Sequence, residues 1–174
     1  MSKLILAATL LAGCSSTARA RSVVPQPTVD RGIELYNNRN FQEAEQVLEE
    51  AAAALPQDAR ALTYLGLSRL ELKEHRQAEE AFRKALAIDG NNAQAHYGLG
   101  LALGYQDQLD SAIAELQRAA ELDPRNAYAH YHLGLALHKK GVMDRALLHL
   151  HRFLELKPDA PEAARVKALL SQLQ

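Results

Sequence analysis

Seven histidines and one cysteine are the side chains in this sequence best suited to metal binding or nucleophilic chemistry. Two histidine pairs are separated by only two residues, His130 with His132 and His149 with His151. Residues two apart on a helix point to different faces, so neither pair can hold one ion. His130 also stands 34 residues after His96, and packing at a repeated position explains both. We therefore predict no metal site.

The other polar residues form no recognisable catalytic arrangement. No GxSxG, HExxH or phosphate-loop motif occurs, and the carboxylates recur at helical spacings that are typical of a solvated surface. Twenty Lys and Arg against twenty-one Asp and Glu give a net charge of −1, which provides no electrostatic footprint for nucleic acid. We predict no enzymatic activity, no cofactor, no small-molecule substrate and no nucleic-acid partner. An enzyme or an enzyme's accessory subunit stays as a third hypothesis, which turnover by the purified protein would revive.

Cys14, the only cysteine, ends an apolar N-terminal segment. A short positive start precedes the apolar run Leu4–Ala12. This run is shorter than the roughly 20 residues of a membrane-spanning helix and matches the apolar region of a secretory signal. It ends in Leu11-Ala12-Gly13-Cys14, which resembles the lipobox of bacterial lipoproteins. The resemblance implies cleavage before Cys14 and acylation of Cys14.

This resemblance divides the N-terminal part into a lipoprotein signal peptide over 1–13 and a lipidated cysteine with a flexible tether over 14–27. Ser15, next to the cysteine, resembles the signal for sorting to the outer membrane. The implied location is the cell envelope, lipid-anchored at the outer membrane and facing the periplasm. Two alternatives stay open: an ordinary signal peptide cleaved after Ala20, and a cytosolic protein with an apolar start.

A period of 34 residues is the strongest pattern in the chain. It is carried by small residues, namely Gly32, Gly66, Gly100 and Gly134, and Ala44, Ala78, Ala112 and Ala146. Pro56, Pro124 and Pro158 follow in a third register. This combination resembles the tetratricopeptide-repeat (TPR) family. The resemblance implies an all-α, right-handed superhelical solenoid of four helix–turn–helix repeats plus a C-terminal capping helix.

The repeats are predicted over 28–160, with boundaries at about 25–58, 59–92, 93–126 and 127–160, and the capping helix over 161–174. A mid-helix glycine costs about 1 kcal/mol against alanine, so close helix packing must explain it. We expect Gly100 and Ala112 to let the two helices of one repeat approach, and Ala119 to face the next repeat. Asp58, Asn92 and Asn126 precede first helices and are predicted N-caps.

The two ends of the array depart from the pattern, as capping units do. Arg31 stands where the other repeats have leucine, so this position is predicted to face water. Phe153 replaces the alanine of earlier repeats where no complete fifth repeat follows. Leu169, Leu170 and Leu173 are predicted to cover the last repeat.

In the family that the chain resembles, first helices line the concave face and hold a protein or peptide ligand. Carried over by repeat position, this predicts a partner-binding face of Arg60, Thr63, Tyr64, Leu67, Gln94, Tyr97, Leu101, Tyr105, Tyr128, Tyr131, His132, Leu135 and His138. Tyrosine offers a large contact area at low entropic cost, which suits protein binding. The alternative is that Tyr97 and Tyr131 only satisfy the repeat consensus. The Lys, Asn and Arg clamp of chaperone-binding members is missing at these positions.

The main functional hypothesis is a lipid-anchored adaptor that holds a protein partner near the membrane. The resemblance implies roles in assembling an envelope complex such as a pilus or a secretion system, with pilus assembly as the first choice. The alternative is a cytosolic TPR co-chaperone or regulatory module without an anchor, which would keep residues 1–13.

Overall fold

The computed structural model describes residues 28–173, which form nine α-helices. Four consecutive helix pairs are followed by one last helix. The helices are α1 (Val29–Asn37), α2 (Phe41–Ala54), α3 (Ala59–Glu71), α4 (His75–Ile88), α5 (Ala93–Tyr105), α6 (Leu109–Leu122), α7 (Ala127–Lys140), α8 (Met143–Leu156) and α9 (Ala163–Leu173). The described residues contain no strand, so the predicted all-α solenoid is confirmed. The predicted signal peptide, lipidated Cys14 and tether lie outside the described residues.

Each first helix begins at a polar residue whose side chain caps it. The Asp58 carboxylate accepts from the Arg60 N–H at 2.9 Å, and the Asn92 and Asn126 side chains accept from the N–H three residues later at 3.0 and 3.1 Å. These bonds satisfy backbone donors that the helix itself leaves free. The three predicted N-caps are confirmed, and Thr28 caps α1 in the same way.

The repeated glycines lie where the two helices of a repeat cross. A Cβ atom built at Gly66 would lie 2.7 Å from the Phe82 ring, and one at Gly100 would lie 2.6 Å from Leu116 Cγ. The bulky partner sixteen residues later thus packs directly on the glycine backbone. The expected close approach of the two helices at Gly100 is confirmed, and Leu116 is the side chain that occupies the space Gly100 leaves.

Alanines join one repeat to the next, as predicted. Ala119 is fully buried and packs in one cluster with Ala129 and Leu133 of α7. First helices of neighbouring repeats contact one another, α1 with α3, α3 with α5 and α5 with α7. Neighbouring second helices of the described repeats make no such contacts. The first helices therefore lie on the inner side of the curve.

The ends of the array differ as the sequence predicts. The Arg31 side chain is 51% exposed and pairs with Glu34. Phe153 is fully buried, and α9 covers it with Val166 and Leu170, which are 1% and 5% exposed. Leu169 is half-buried in the same cluster. Val166 was not predicted as a core residue, although its position, sixteen residues after Leu150, repeats the spacing of Leu116 and His132.

Candidate partner-binding groove

A cavity of about 440 Å³ opens between the inner helices α1, α3 and α5, and we name it the tyrosine cavity. Tyrosines, leucines and three ionisable side chains line it: Tyr36, Leu67, Leu70, Glu71, Lys73, His75, Tyr97, Leu101 and Tyr105. Most of these residues come from the C-terminal halves of first helices, where successive helices lie side by side. The cavity is large enough for one or two side chains of a partner.

A smaller cavity of about 180 Å³ continues the groove towards α7. Leu101 and Tyr105 line both cavities, and His132 and Ala136 of α7 close the far side. Because two residues are shared, the two cavities form one groove along the inner helices. An extended or helical segment of another protein could lie along it.

Aromatic contacts hold the groove residues in place. The Tyr36 and Tyr64 rings meet edge to face with centroids 5.5 Å apart, and the His75 ring stacks on Tyr105 at 4.6 Å. Tyr97 lies between these pairs and contacts His132 at 5.9 Å. Tyr105 nevertheless remains 63% exposed, so its ring is held on one side and open on the other. Rigid, exposed aromatic rings of this kind are common anchors in protein interfaces.

Burial shifts the ionisation of several groove side chains. Burial raises the pKa of Tyr97 well above its ordinary value, so this phenol stays neutral. Burial, followed by the nearby Glu71 carboxylate, also raises the pKa of Tyr36. Burial lowers the pKa of His132 to about 4, so its imidazole is neutral at pH 7. Glu71 supplies the acidic side chain of the tyrosine cavity and Lys73 the lysine ammonium.

The structure brings part of the predicted partner-binding face together. Leu67, Tyr97, Leu101 and Tyr105 line the tyrosine cavity, His132 lines the smaller cavity, and Tyr64 packs beside Tyr36.

The other predicted positions lie outside both cavities. Arg60 pairs with Asp58 and Asp30, the Lys157 ammonium lies 5.1 Å from the centre of the Tyr128 ring, and His138 approaches Met143. Gln94 is exposed, and Leu135 is half-buried against the cluster that contains Phe153 and Val166.

Three predicted contact residues are buried, Thr63, Tyr131 and Leu67, although Leu67 still lines the tyrosine cavity. Thr63 is 1% exposed, and its hydroxyl donates to the Ala59 carbonyl and accepts from Asn92 Nδ2. Tyr131 is 7% exposed and packs against Phe153 at 5.0 Å. Thr63 and Tyr131 therefore present little surface to a partner.

Five residues that line the tyrosine cavity were not among the predicted contact residues: Tyr36, Leu70, Glu71, Lys73 and His75. Tyr36, Leu70 and Glu71 occupy the ends of first helices, at the repeat positions that Gly104, Tyr105 and His138 fill later. Carrying those positions back to the first two repeats would have found them. Lys73 lies in the turn after α3 and His75 begins α4, and neither has such a signal.

His96, His130 and His149 take part in packing, whereas His151 is exposed. His96 bridges Glu115 Oε2 at 2.6 Å and the Gly90 carbonyl at 3.1 Å. His130 lies at the same repeat position and contacts His149, with the two Nδ1 atoms 3.0 Å apart. Among the described residues, no group of three or more potential ligands converges as a metal site would require.

Comparisons with known proteins agree with this architecture. A model described as Tetratricopeptide repeat matches residues 29–93, and one described as TPR repeat matches residues 102–141. A double mutant of MamA RS-1 is 30% identical, with a TM-score of 0.69, over 81% of this chain and 79% of that chain. The chain belongs to the tetratricopeptide-repeat family. Proteins of this fold are generally non-catalytic interaction scaffolds.

Two further solved structures share the TPR solenoid. A form of MamA from Desulfovibrio magneticus RS-1 that starts at residue 41 is 28% identical, with a TM-score of 0.66, over 76% of this chain and 75% of that chain. PilF of Pseudomonas aeruginosa is 25% identical, with a TM-score of 0.72, over 83% of this chain and 65% of that chain. No curated protein matches this TPR chain in sequence.

Across residues 28–173, none of the helices combines the length and the apolar character that crossing a bilayer requires.

Proposed function

We propose that this TPR protein is a lipid-anchored adaptor of the bacterial cell envelope that holds a segment of a protein partner in the groove along its inner helices. The observation that carries the binding role is the groove itself, in which Leu101 and Tyr105 join two cavities and Tyr105 presents a fixed, exposed ring. Apolar and aromatic contact is the main interaction that such a groove offers.

A second cavity of the same volume lies between α2, α3 and α4, but its composition is less suited to an anchor. Arg69 lines it and is already paired with Glu45 and Glu49 at 2.9 Å. The cavity has no aromatic lining. Polar groups that are already satisfied gain little from a partner, because binding must first remove their existing contacts.

A crosslinking pull-down from cells tests the groove. The variant Leu101→Ala with Tyr105→Ala removes the two shared groove residues, and Leu55→Ala with Leu148→Ala is the matched control. Leu55 and Leu148 are 51% and 65% exposed and lie outside the groove. Circular dichroism first checks that both variants keep their helicity. A partner lost only by the groove variant supports the proposal, whereas equal capture by wild type and both variants contradicts it.

The anchor rests on the sequence Leu11-Ala12-Gly13-Cys14. Stable anchoring requires more than one acyl chain, each buried methylene contributing about 0.8 kcal/mol. The test is the intact mass of the mature protein, together with labelling by a fatty-acid analogue, for wild type and Cys14→Ser. A labelled wild type without residues 1–13 supports the anchor. A full-length, unlabelled wild type would instead favour the cytosolic interaction module.

Assembly of an envelope complex is the role that an anchored adaptor of this kind serves best. Pilus assembly is the first system to test, because PilF is among the structural neighbours. Deletion of the gene should then reduce surface pili, and the Leu101→Ala, Tyr105→Ala variant should fail to restore them. Normal piliation in the deletion strain would direct the search to secretion systems.

A further inference from the structure

The tyrosine cavity combines aromatic rings with a carboxylate. Tyr36 comes from α1, Tyr97 and Tyr105 come from α5, and Glu71 ends α3 between them. An aromatic face carries negative electrostatic potential and attracts a cation, most strongly where water is partly excluded. The aromatic rings and the Glu71 carboxylate therefore both favour a positively charged ligand.

The Glu71 carboxylate has no ionic partner among the described residues. By contrast, Asp58 is paired with Arg60 and Glu45 is paired with Arg69. Glu71 nonetheless lies close enough to Tyr36 and Tyr97 to contribute to the rise in both phenol pKa values. The carboxylate therefore lies near the aromatic side of the cavity.

Lys73 also lines the cavity, and its charge opposes a cationic ligand. It stands in the turn after α3 with φ of 65°, it is exposed, and it forms no ion pair with Glu71. Both side chains are exposed, Glu71 at the end of α3 and Lys73 in the turn after it, so the Lys73 ammonium can extend into water away from the rings. Lys73 is therefore expected to weaken cation binding at low salt without preventing it.

We propose that the tyrosine cavity binds an arginine side chain of the protein partner, with the guanidinium stacked on the Tyr105 ring and paired with the Glu71 carboxylate. This proposal rests on the proposed function, because it assigns one chemical determinant to the partner of the same groove. A planar guanidinium can stack on an aromatic face and donate to a carboxylate at the same time, which an ammonium does less well. His75 supports the geometry because it stacks on Tyr105 at 4.6 Å and limits the positions of that ring.

Capped amino acids test the proposal without a known partner. The probes are N-acetyl-arginine-N-methylamide, its norleucine counterpart as the apolar control and its glutamate counterpart as the anionic control. Each is titrated into the protein at low ionic strength, while amide NMR shifts of Leu67, Glu71 and Leu101 are followed. We expect these amides to shift with the arginine probe, at concentrations of about 10 mM, as suits a ligand with few contacts.

Three variants make the charge assignment specific. Glu71→Gln should weaken the arginine probe about fivefold, because it removes the charge and keeps the shape. Glu80→Gln is the matched control, since Glu80 is exposed on α4, lines neither groove cavity and changes the net charge equally. Lys73→Ala should tighten the arginine probe about twofold at low salt and less at high salt.

Several outcomes would overturn the proposal. They are equal binding of arginine and norleucine, tighter binding of glutamate, no shift with any probe at about 100 mM, or equal affinity in wild type and Glu71→Gln. A partner that is lost by the Leu101→Ala, Tyr105→Ala variant and retained by Glu71→Gln would leave the groove intact and exclude the arginine contact. If the Leu101→Ala, Tyr105→Ala variant instead retained both the partner and the probe, the proposed function itself would be contradicted.

Discussion

The ring of Phe82 packs on the backbone of Gly98, and a Cβ atom built at Gly98 would lie only 2.2 Å from Phe82 Cζ. The two residues belong to different repeats and are sixteen residues apart. In the neighbouring repeats, Tyr64 stands sixteen residues after Leu48, and His132 stands sixteen residues after Leu116. The larger phenylalanine is thus accompanied by the smallest residue on the next first helix, so the pair preserves the spacing between repeats.

We predict that Gly98→Ala destabilises the protein by about 1–3 kcal/mol, because the buried Phe82 ring has no room to move between Gly66 and Gly98. Gly104→Ala on the same helix is the control. Its Cβ would meet Ala112 Cβ at 3.9 Å, an ordinary contact, and alanine favours the helix by up to about 1 kcal/mol. In urea unfolding, Gly98→Ala should lower the free energy of unfolding, whereas Gly104→Ala should raise it. Phe82→Leu should partly rescue Gly98→Ala, and strict additivity would refute the coupling.

Thr63 connects the second repeat to the cap of the third. Its hydroxyl accepts from Asn92 Nδ2 at 3.2 Å, while Asn92 Oδ1 caps α5. Thr63→Val should cost about 1 kcal/mol, because it leaves the Asn92 amide group without this partner. Asn92→Ala should cost about 1–2 kcal/mol through the lost cap. The double variant should cost less than the sum in thermal or urea unfolding. A fully additive double variant would show that the two residues act independently.

His132 should make stability depend on pH below neutrality. In the unfolded chain the pKa of His132 is near 6.5, whereas burial in the folded protein lowers this pKa to about 4. Acidification between these values therefore favours the unfolded chain, by on the order of 2 kcal/mol at pH 4.5 relative to pH 7.5. His130 and His149, whose pKa values burial also lowers, act in the same direction.

Urea unfolding of wild type and His132→Gln at the two pH values measures this contribution. The variant should lose a substantial part of the pH dependence, while His151→Gln, on the exposed surface of α8, should retain it. An NMR titration that finds the His132 pKa near 6.5 would contradict the burial argument directly.

The capping helix α9 should stabilise the fourth repeat through a few buried contacts. Leu170 is 5% exposed in a cluster with Phe153 and Val166. We predict that Leu170→Ala costs about 2–3 kcal/mol, whereas Leu169→Ala, at a half-buried site, costs less than half as much. Hydrogen exchange should show faster opening of α8 in the Leu170 variant. Equal exchange in both variants would mean that α9 does not act through this contact.

The sequence predicts the fold well because each repeat uses the same local chemistry. Asn92 and Asn126 cap their helices as expected, and the glycine at position 100 marks a close crossing as expected. The sequence analysis did not assign the side chain that fills this crossing, which is Leu116. Periodicity locates a small residue, but the side chain that fills the gap depends on the angle between the helices.

The groove was only partly predictable from the repeat positions. These positions place Tyr97, Leu101 and Tyr105 on one face, and the structure gathers them in the tyrosine cavity. Thr63 was assigned to that face by its repeat position, yet its hydroxyl is engaged with Asn92 inside the fold. Glu71 was missed because the repeat position of Tyr105, 34 residues later, was not carried back to the second repeat.

Phe153 has a consequence for how this array could lengthen by duplication. At the equivalent place, Ala119 leaves room for the first helix of a following repeat, whereas the Phe153 ring fills that room and is sealed by α9. Between existing repeats, where Ala51, Ala85 and Ala119 hold this place, a new 34-residue unit would find room for its first helix. At the C-terminal end the same unit would require Phe153→Ala. The Phe153 ring thus limits how many repeats can be added at the C-terminal end of the groove.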